Sequence, residues 1–229
     1  MIEGRRFVIE DADRAVALYV DERAASDPEV LAWLEALEAE VWILSRRAFA
    51  SVSTLTTPDG FLSLVERRVV EVGEYQGRLA LAPAGVQDPG NLGAMIRAAA
   101  AFFPRPLLLA APGAVDPFSP KVVRASAGFL RKVEVAEVPV LEDGLSNLRG
   151  QGFLLLGLEM SGESVWDLSG IDRACLVVGS EGSGLSAEIR SVIDREVRIP
   201  QQRQVESLNA AAAVSVALAV LSWKTGLLA

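Results

Sequence analysis

Three stretches of this chain gather glycines and polar side chains where an apolar segment stops. The first, Asp88-Pro89-Gly90-Asn91-Leu92-Gly93-Ala94-Met95-Ile96-Arg97, sets Asn91 and Arg97 among small and apolar residues. On a helix start, their separation puts them within about two turns of each other. The second, Leu176-Val177-Val178-Gly179-Ser180-Glu181-Gly182-Ser183-Gly184-Leu185, runs an apolar strand into closely spaced glycines. Such backbone lets a planar base or nucleoside approach closely. It is neither G-x-G-x-x-G nor a Walker loop, and Glu181 disfavours phosphate there. The third, from Val197-Arg198-Ile199-Pro200-Gln201 through Glu206-Ser207-Leu208-Asn209, reads as a strand, a polar loop and a helix start. Taken singly, each has a plain explanation: Asn91, Ser207 and Asn209 are helix caps, Arg97 is a surface residue and the glycines make a turn. A turn leaves Glu181 unexplained.

The rest of the composition narrows the chemistry. The chain has no histidine, which removes the commonest general base and the commonest metal ligand together. Its single cysteine, Cys175, sits in an apolar run, so neither a disulfide framework nor a cysteine zinc site is available, and no metal is expected. No apolar stretch approaches the roughly 20 residues that span a bilayer, and no signal-peptide core is visible, so a cytoplasmic protein without membrane contact is expected. The formal charge of −8 argues mildly against nucleic acid. Its distribution argues the other way. Between Arg97 and Lys132 lie Arg97, Arg105, Lys121, Arg124, Arg131 and Lys132 against Asp116 alone, whereas acidic residues dominate from Glu3 to Glu40.

The elements that must hold these stretches fall into two patterns. Residues 1–70 read as a small α/β unit, with strands at Phe7-Val8-Ile9, Val41-Trp42-Ile43-Leu44 and Phe61-Leu62-Ser63-Leu64-Val65. Its helices are expected over 13–20, over 27–40 with Asp27 as cap and Pro28 first, and over 45–50. The polar residues 71–77 read as a linker. From Arg78 to the end, 78–229, short apolar strands over 79–81, 107–109, 133–135, 153–156 and 175–178 alternate with helices over 92–102, 120–127, 141–149 and 186–194. That alternation predicts an α/β fold with a parallel sheet covered on both faces. A last helix over 205–224 is rich in Ala, Val and Leu and reads as core or subunit interface.

In this order and spacing the three stretches resemble the signature motifs of the SpoU family of the SPOUT superfamily. The likeness is carried by Asn91 with Arg97, by Gly179-Ser180-Glu181-Gly182 with Gly184-Leu185, and by Ile199-Pro200 followed by Glu206-Ser207-Leu208-Asn209. Asp116-Pro117-Phe118 and the run Lys121-Val122-Val123-Arg124-Ala125-Ser126-Ala127-Gly128 add to it. It covers 78–229 and extends weakly to the front, which looks like the family's ribosomal protein L30e-like RNA-binding domain.

The resemblance implies a parallel sheet whose C-terminal chain threads a deep trefoil knot, a rare exception among folds, and a homodimer. It implies S-adenosylmethionine as cofactor and transfer of its methyl group to a ribose 2′-hydroxyl of structured RNA. Ribosomal RNA is expected before transfer RNA, because the front domain resembles those of ribosomal-RNA members. By the same resemblance Arg97, Asn91, Glu181, Ser207 and Asn209 are the active-site residues. Leu156, Gly157, Gly179, Glu181, Gly184, Ile199, Gln201, Ser207 and Leu208 hold the cofactor, and Arg97, Lys121, Arg124 and Arg131 meet RNA. The sequence departs from the family at Arg203, where glycine is usual, and lacks a usual glycine near Phe103. Two rivals stand beside this reading: an RNA-binding protein that keeps the fold without turnover, and a nucleotide-dependent oxidoreductase, remote without a G-x-G-x-x-G.

Overall fold

The computed structural model describes residues 1–202 and 208–227, which divide into two units, Met1–Arg67 and Arg68–Ala229. In the first, β1 (Ile2–Glu3) leads into α1 (Arg5–Glu10), β2 (Ala15–Asp21), α2 (Glu22–Ala25) and α3 (Pro28–Glu35). Then come β3 (Glu40–Leu44), α4 (Arg46–Val52) and β4 (Phe61–Val65). The strands form one sheet in the order β1-β4-β2-β3, with β2 and β3 parallel and the remaining pairs antiparallel. Asp27 caps α3 by accepting from Glu29 N at 2.9 Å, with Pro28 at its first position.

Two expectations fail in this unit. Phe7-Val8-Ile9 is helical, within α1, where Val8 alone is buried and Ile9 is 43% exposed. Residues 13–20 form a 3-10 turn over Ala12–Arg14 and then β2, not a helix. β2 is hydrogen-bonded on both edges, to β3 and β4, and Leu18 and Val20 are fully buried. Two ladders and the burial of Leu18 and Val20 on one face outweigh the weak helical preference of the isolated segment.

The second unit is built on β5 (Leu79–Pro83), α5 (Pro89–Phe102), β6 (Leu107–Ala110), α6 (Pro120–Ala125), β7 (Glu134–Glu137) and α7 (Leu141–Gly150). It continues with β8 (Leu154–Ser164), β9 (Ala174–Val178), α8 (Ala187–Val192), β10 (Arg195–Arg198) and α9 (Ala210–Lys224). All six strands are parallel, in the order β10-β8-β9-β5-β6-β7. Successive side chains of a strand point to opposite faces, and here they feed two cores. Leu79 and Leu81 of β5 join Met95 and Ile96 of α5 and Leu218 of α9, while Ala80 and Ala82 face Leu145 of α7 and Ile189 of α8. This is the doubly covered parallel sheet that the apolar runs require.

Residues 71–77 are not a free linker. Val72–Glu74 make a 3-10 turn, and Tyr75 is 2% exposed with its hydroxyl 2.6 Å from Leu79 O and 3.1 Å from Arg105 O. Arg173 donates to Tyr75 O and Gly77 O, each at 3.0 Å, so this stretch is built into the second unit. β8 is also longer than the apolar run Phe153-Leu154-Leu155-Leu156 suggests. Against β10 its register jumps: Glu196 lies opposite Gly157 but Val197 lies opposite Glu163. Residues 158–162 therefore leave that ladder and project beyond it. Gly162 is what lets them return, since a Cβ there would stand 2.4 Å from the Glu196–Val197 peptide.

Candidate active site

The loop after β9 is closed on itself. Gly184 N donates to Ser180 O at 3.0 Å, Gly184 adopts φ +65, and a Cβ on Gly179 would lie 2.1 Å from Gly184 C. Only glycine permits both the left-handed turn and the contact of one loop strand with the other. The result is a stretch of open backbone at the C-terminal end of a central parallel strand, where ligands of such sheets bind.

Asp88 caps α5 by accepting from Asn91 N at 2.7 Å, with Pro89 at the first position. The cap turns the Asn91 side chain toward the β9 loop, where its Nδ2 donates to Glu181 Oε1 at 2.6 Å. Asn209 caps α9, its Oδ1 accepting from Ala211 N at 3.0 Å and Ala212 N at 3.2 Å. The same amide donates from Nδ2 to Asn91 Oδ1 at 3.0 Å. One residue from each of the three stretches thus enters one hydrogen-bonded chain. Asn209 is a helix cap and a member of that chain at once.

Beside it lies a cavity of about 300 Å³, at the low end of the roughly 300–1,000 Å³ of small-molecule sites. Of the residues singled out in the sequence it is lined by Gly179, Glu181, Gly184, Ile199, Gln201 and Leu208, with Asn209 at its edge. The Oε1 of Gln201 is buried and unpaired among the described residues, while its Nε2 reaches Met160 Sδ at 3.5 Å. A buried acceptor without a donor is costly.

Leu156 and Gly157 do not line this cavity. Leu156 is fully buried in the core with α5 and α9, and Gly157 packs against Leu185 and Ile193. The wall that β8 supplies is instead Leu158, Glu159 and Met160, from the stretch that leaves the β10 ladder. Glu159 went unnoticed in the sequence, although a carboxylate closing the run Leu154-Leu155-Leu156-Gly157-Leu158 was a signal. Ser207, expected in both residue sets, and Arg203 lie outside the described residues.

Arg97 is exposed on α5 and is not among the lining residues. Six residues of helix carry it about 9 Å along the axis from Asn91. It follows Gly93 by one turn, and Gly93 is where α6 crosses α5: a Cβ there would meet Ala125 Cβ at 2.4 Å. Lys121 and Arg124 are exposed and share one face of α6, and Arg131 is half-buried in the 3-10 turn Phe129–Lys132. Among the described residues there is no group of three or more His, Cys, Asp or Glu placed to hold a metal ion, and no helix is long and apolar enough to cross a membrane.

The model of the SpoU rRNA methylase family matches residues 78–219. A protein of Synechocystis sp. named as an uncharacterized tRNA/rRNA methyltransferase is 34% identical over 187 residues, 81% of this chain and 68% of its own length. The chain spans about half the length of the mycobacterial tRNA/rRNA methyltransferases it matches. Among solved structures, the AdoMet-bound rRNA methyltransferase of Sinorhizobium meliloti superposes with a TM-score of 0.83 at 25% identity, covering 100% of this chain and 87% of that one. An RNA 2′-O ribose methyltransferase superposes with a TM-score of 0.75 at 26% identity, covering 99% of this chain and 88% of the other. The doubly covered parallel sheet, the cavity beside the β9 loop and these matches agree, and the chain belongs to the SpoU rRNA methylase family of RNA methyltransferases.

Proposed function

We propose that this chain transfers the methyl group of S-adenosylmethionine to a ribose 2′-hydroxyl of structured RNA, ribosomal RNA before transfer RNA. The observation that carries the reading is the Asn209–Asn91–Glu181 chain at the rim of a cavity bounded by Gly179, Gly184, Ile199 and Leu208. The residues present fit the cofactor. The adenosine is taken beside Gly179, Ile199 and Leu208, where the glycine lets a flat base meet the backbone directly and the two aliphatic side chains offer it apolar contact. Gln201 on the cavity wall supplies an amide for the polar groups of the cofactor.

Bound there, S-adenosylmethionine supplies a methyl group on a sulfonium whose departure leaves a neutral thioether. What remains for the protein is to hold a ribose oxygen in line with that methyl group, and positioning of this kind supplies a large part of the rate. The methyl–sulfur bond would break as the oxygen–methyl bond forms, and the hydroxyl proton would pass to solvent water. Arg97 is a poor base, its pKa lying above about 12. Its role is to grip the phosphate next to the target ribose and to stabilise the charge that develops on the oxygen. Its place outside the cavity suits a residue that touches RNA and not cofactor.

Lys121, Arg124 and Arg131 extend the footprint along the RNA backbone. The first unit acts as the L30e-like domain that finds the target. The second pairs with a second copy of the chain, and its C-terminal segment threads the family's knot. The return of β10 to the outer edge of β8, after β9, is the topological feature that supports the knot.

Mass mapping of ribose methylation in ribosomal and transfer RNA, from cells with and without the chain, tests the function. A 2′-O-methyl nucleotide lost with the chain is the expected result. Loss of a base methylation instead would overturn the ribose assignment. Calorimetry with S-adenosylmethionine separates the enzyme from an RNA-binding protein that keeps the fold: no binding would leave only the latter.

A further inference from the structure

Leu185, where the β9 loop ends, has both its backbone groups held by one ion pair. Its N–H donates to Glu159 Oε1 at 2.8 Å, and its carbonyl accepts from Arg190 Nε at 3.2 Å. Glu159 and Arg190 are themselves joined, Oε2 to Nη2 at 2.9 Å, and the Glu159 side chain is only 13% exposed. Arg190 goes on to Glu196 Oε1 at 2.5 Å, and Glu196 Oε2 accepts from Ser161 Oγ at 2.8 Å. The projecting residues of β8, the loop after β9 and the start of β10 are therefore stapled together by charge-assisted bonds. Glu159 also lines the cavity, and it lies so close to Gly184 that a Cβ there would come within 2.9 Å of Oε1.

We propose that Glu159, braced by Arg190, is the positioning residue that sets the width of the cofactor site, by fixing the Gly179–Leu185 loop to the projecting segment of β8. This rests on the reading of the cavity as the S-adenosylmethionine site. The β8–β9 ladder ends at the Leu158–Val178 pair and Asn91 holds the loop at Glu181, so Glu159 is what ties the far end of the loop, at Leu185, to the projecting segment of β8. A carboxylate that is mostly withdrawn from water and holds an N–H and a guanidinium together is costly to lose and gives a defined loop position. The chemistry does not require Glu159 to touch the methyl group. Its effect is therefore on cofactor affinity rather than on the transfer step.

The test uses the full chain and variants Glu159→Ala, Glu159→Gln and Arg190→Gln. The first readout needs no ligand. Amide hydrogen exchange of the segment containing Leu185 is expected to speed up roughly tenfold in Glu159→Ala while the central strands keep their protection. The second is calorimetry with S-adenosylhomocysteine. Its dissociation constant is expected to rise roughly tenfold or more in Glu159→Ala, the scale of one charge-assisted hydrogen bond. Glu159→Gln keeps an acceptor for Leu185 N–H and is expected to recover to within about threefold of wild type. In methyl transfer, KM for the cofactor rises and kcat at saturation stays within about threefold.

A folded Glu159→Ala that binds S-adenosylhomocysteine like the wild type, or one whose kcat falls while its KM holds, overturns the proposal. If that variant does not fold, Arg190→Gln decides, since wild-type affinity there overturns it equally. Wild-type protein that binds neither cofactor form refutes the reading of the cavity, and hydrogen exchange then still tells whether the loop is held by Glu159.

Discussion

Asn91 and Glu181, 90 residues apart in the chain, are joined by a 2.6 Å hydrogen bond from the Asn91 amide to the Glu181 carboxylate. The other end of the same amide accepts from Asn209, so Asn91 is oriented from both sides: its donor is used on a carboxylate and its acceptor on an amide. The caps of α5 and α9 supply the backbone side of this arrangement, and the β9 turn supplies Glu181. A single rotamer is thereby selected for a residue whose isolated side chain has several.

Asn91→Asp tests that relationship. The substitution keeps the size and replaces the donor with an oxygen facing Glu181 at hydrogen-bonding distance. Two carboxylates there repel, or one takes up a proton. Turnover at saturating substrates is expected to fall at least roughly tenfold, about 1.4 kcal/mol, with a smaller loss of melting temperature. Single-turnover methyl transfer measures it, and an unchanged rate would show that the bond is incidental.

Arg97 offers a second test, because lysine keeps the charge and loses the planar fork. If Arg97 grips a phosphate and a developing oxyanion, Arg97→Lys should lower kcat by roughly a hundredfold, as loss of one aimed donor does. Cofactor affinity should be unchanged, because Arg97 does not line the cavity. Near-normal turnover at saturating RNA would refute the role.

The second unit was legible because its strands are short, apolar and bounded by polar stretches, although α5 starts at Pro89 under Asp88, not at Leu92 under Asn91, and α9 starts at Ala210 under Asn209, not at Val205. The first unit was misread where burial, not local pattern, decides. β2 looks helical alone and becomes a strand because β3 and β4 flank it. In the site, the turn glycines and the polar residues around them showed in the sequence because they break an apolar run. Leu156 and Gly157 were expected at the cofactor from the family resemblance, and the cavity wall on this strand is Leu158, Glu159 and Met160. No local pattern marks the register jump that carries the strand on to Glu159, since the jump depends on Gly162 meeting the backbone of β10. Arg190 was invisible for the same reason: it is a surface arginine until the fold brings Glu159 and Glu196 to it.

Gly93→Ala tests the packing that brings the basic helix against α5. Its Cβ would stand 2.4 Å from Ala125 Cβ and 2.6 Å from Ala125 C, so the helices must separate. Alanine's better helix propensity, worth up to about 1 kcal/mol, cannot offset an overpacking cost of about 1–3 kcal/mol with backbone displaced. Denaturant unfolding should report a net loss of roughly 1–2 kcal/mol, and RNA affinity should weaken as Lys121 and Arg124 shift. A variant as stable as wild type would mean that α6 is not seated on Gly93.

The last prediction concerns alkali. Burial pushes the Tyr75 hydroxyl and the Cys175 thiol well above their ordinary values of 10.0 and 9.0. Both groups are held neutral in the folded state and ionise freely in the unfolded chain. A raised folded value means that stability is fully present below the unfolded values and declines as pH climbs past them toward the folded ones. Urea unfolding should thus be flat, as far as these two groups go, up to about pH 8.5, and then lose up to about 1.4 kcal/mol per pH unit for each ionised group. Tyr75→Phe removes one of the two contributions and should make the decline shallower. It should also lower stability at neutral pH by about 1–3 kcal/mol, since the carbonyls of Leu79 and Arg105 lose their donor. A thiol reagent should leave Cys175 unmodified in the folded protein and label it fully in urea, because the attacking thiolate does not form at 0% exposure. Stability constant to pH 10.5, or labelling of Cys175 in the folded protein at the rate of a free thiol, would contradict the burial of both groups.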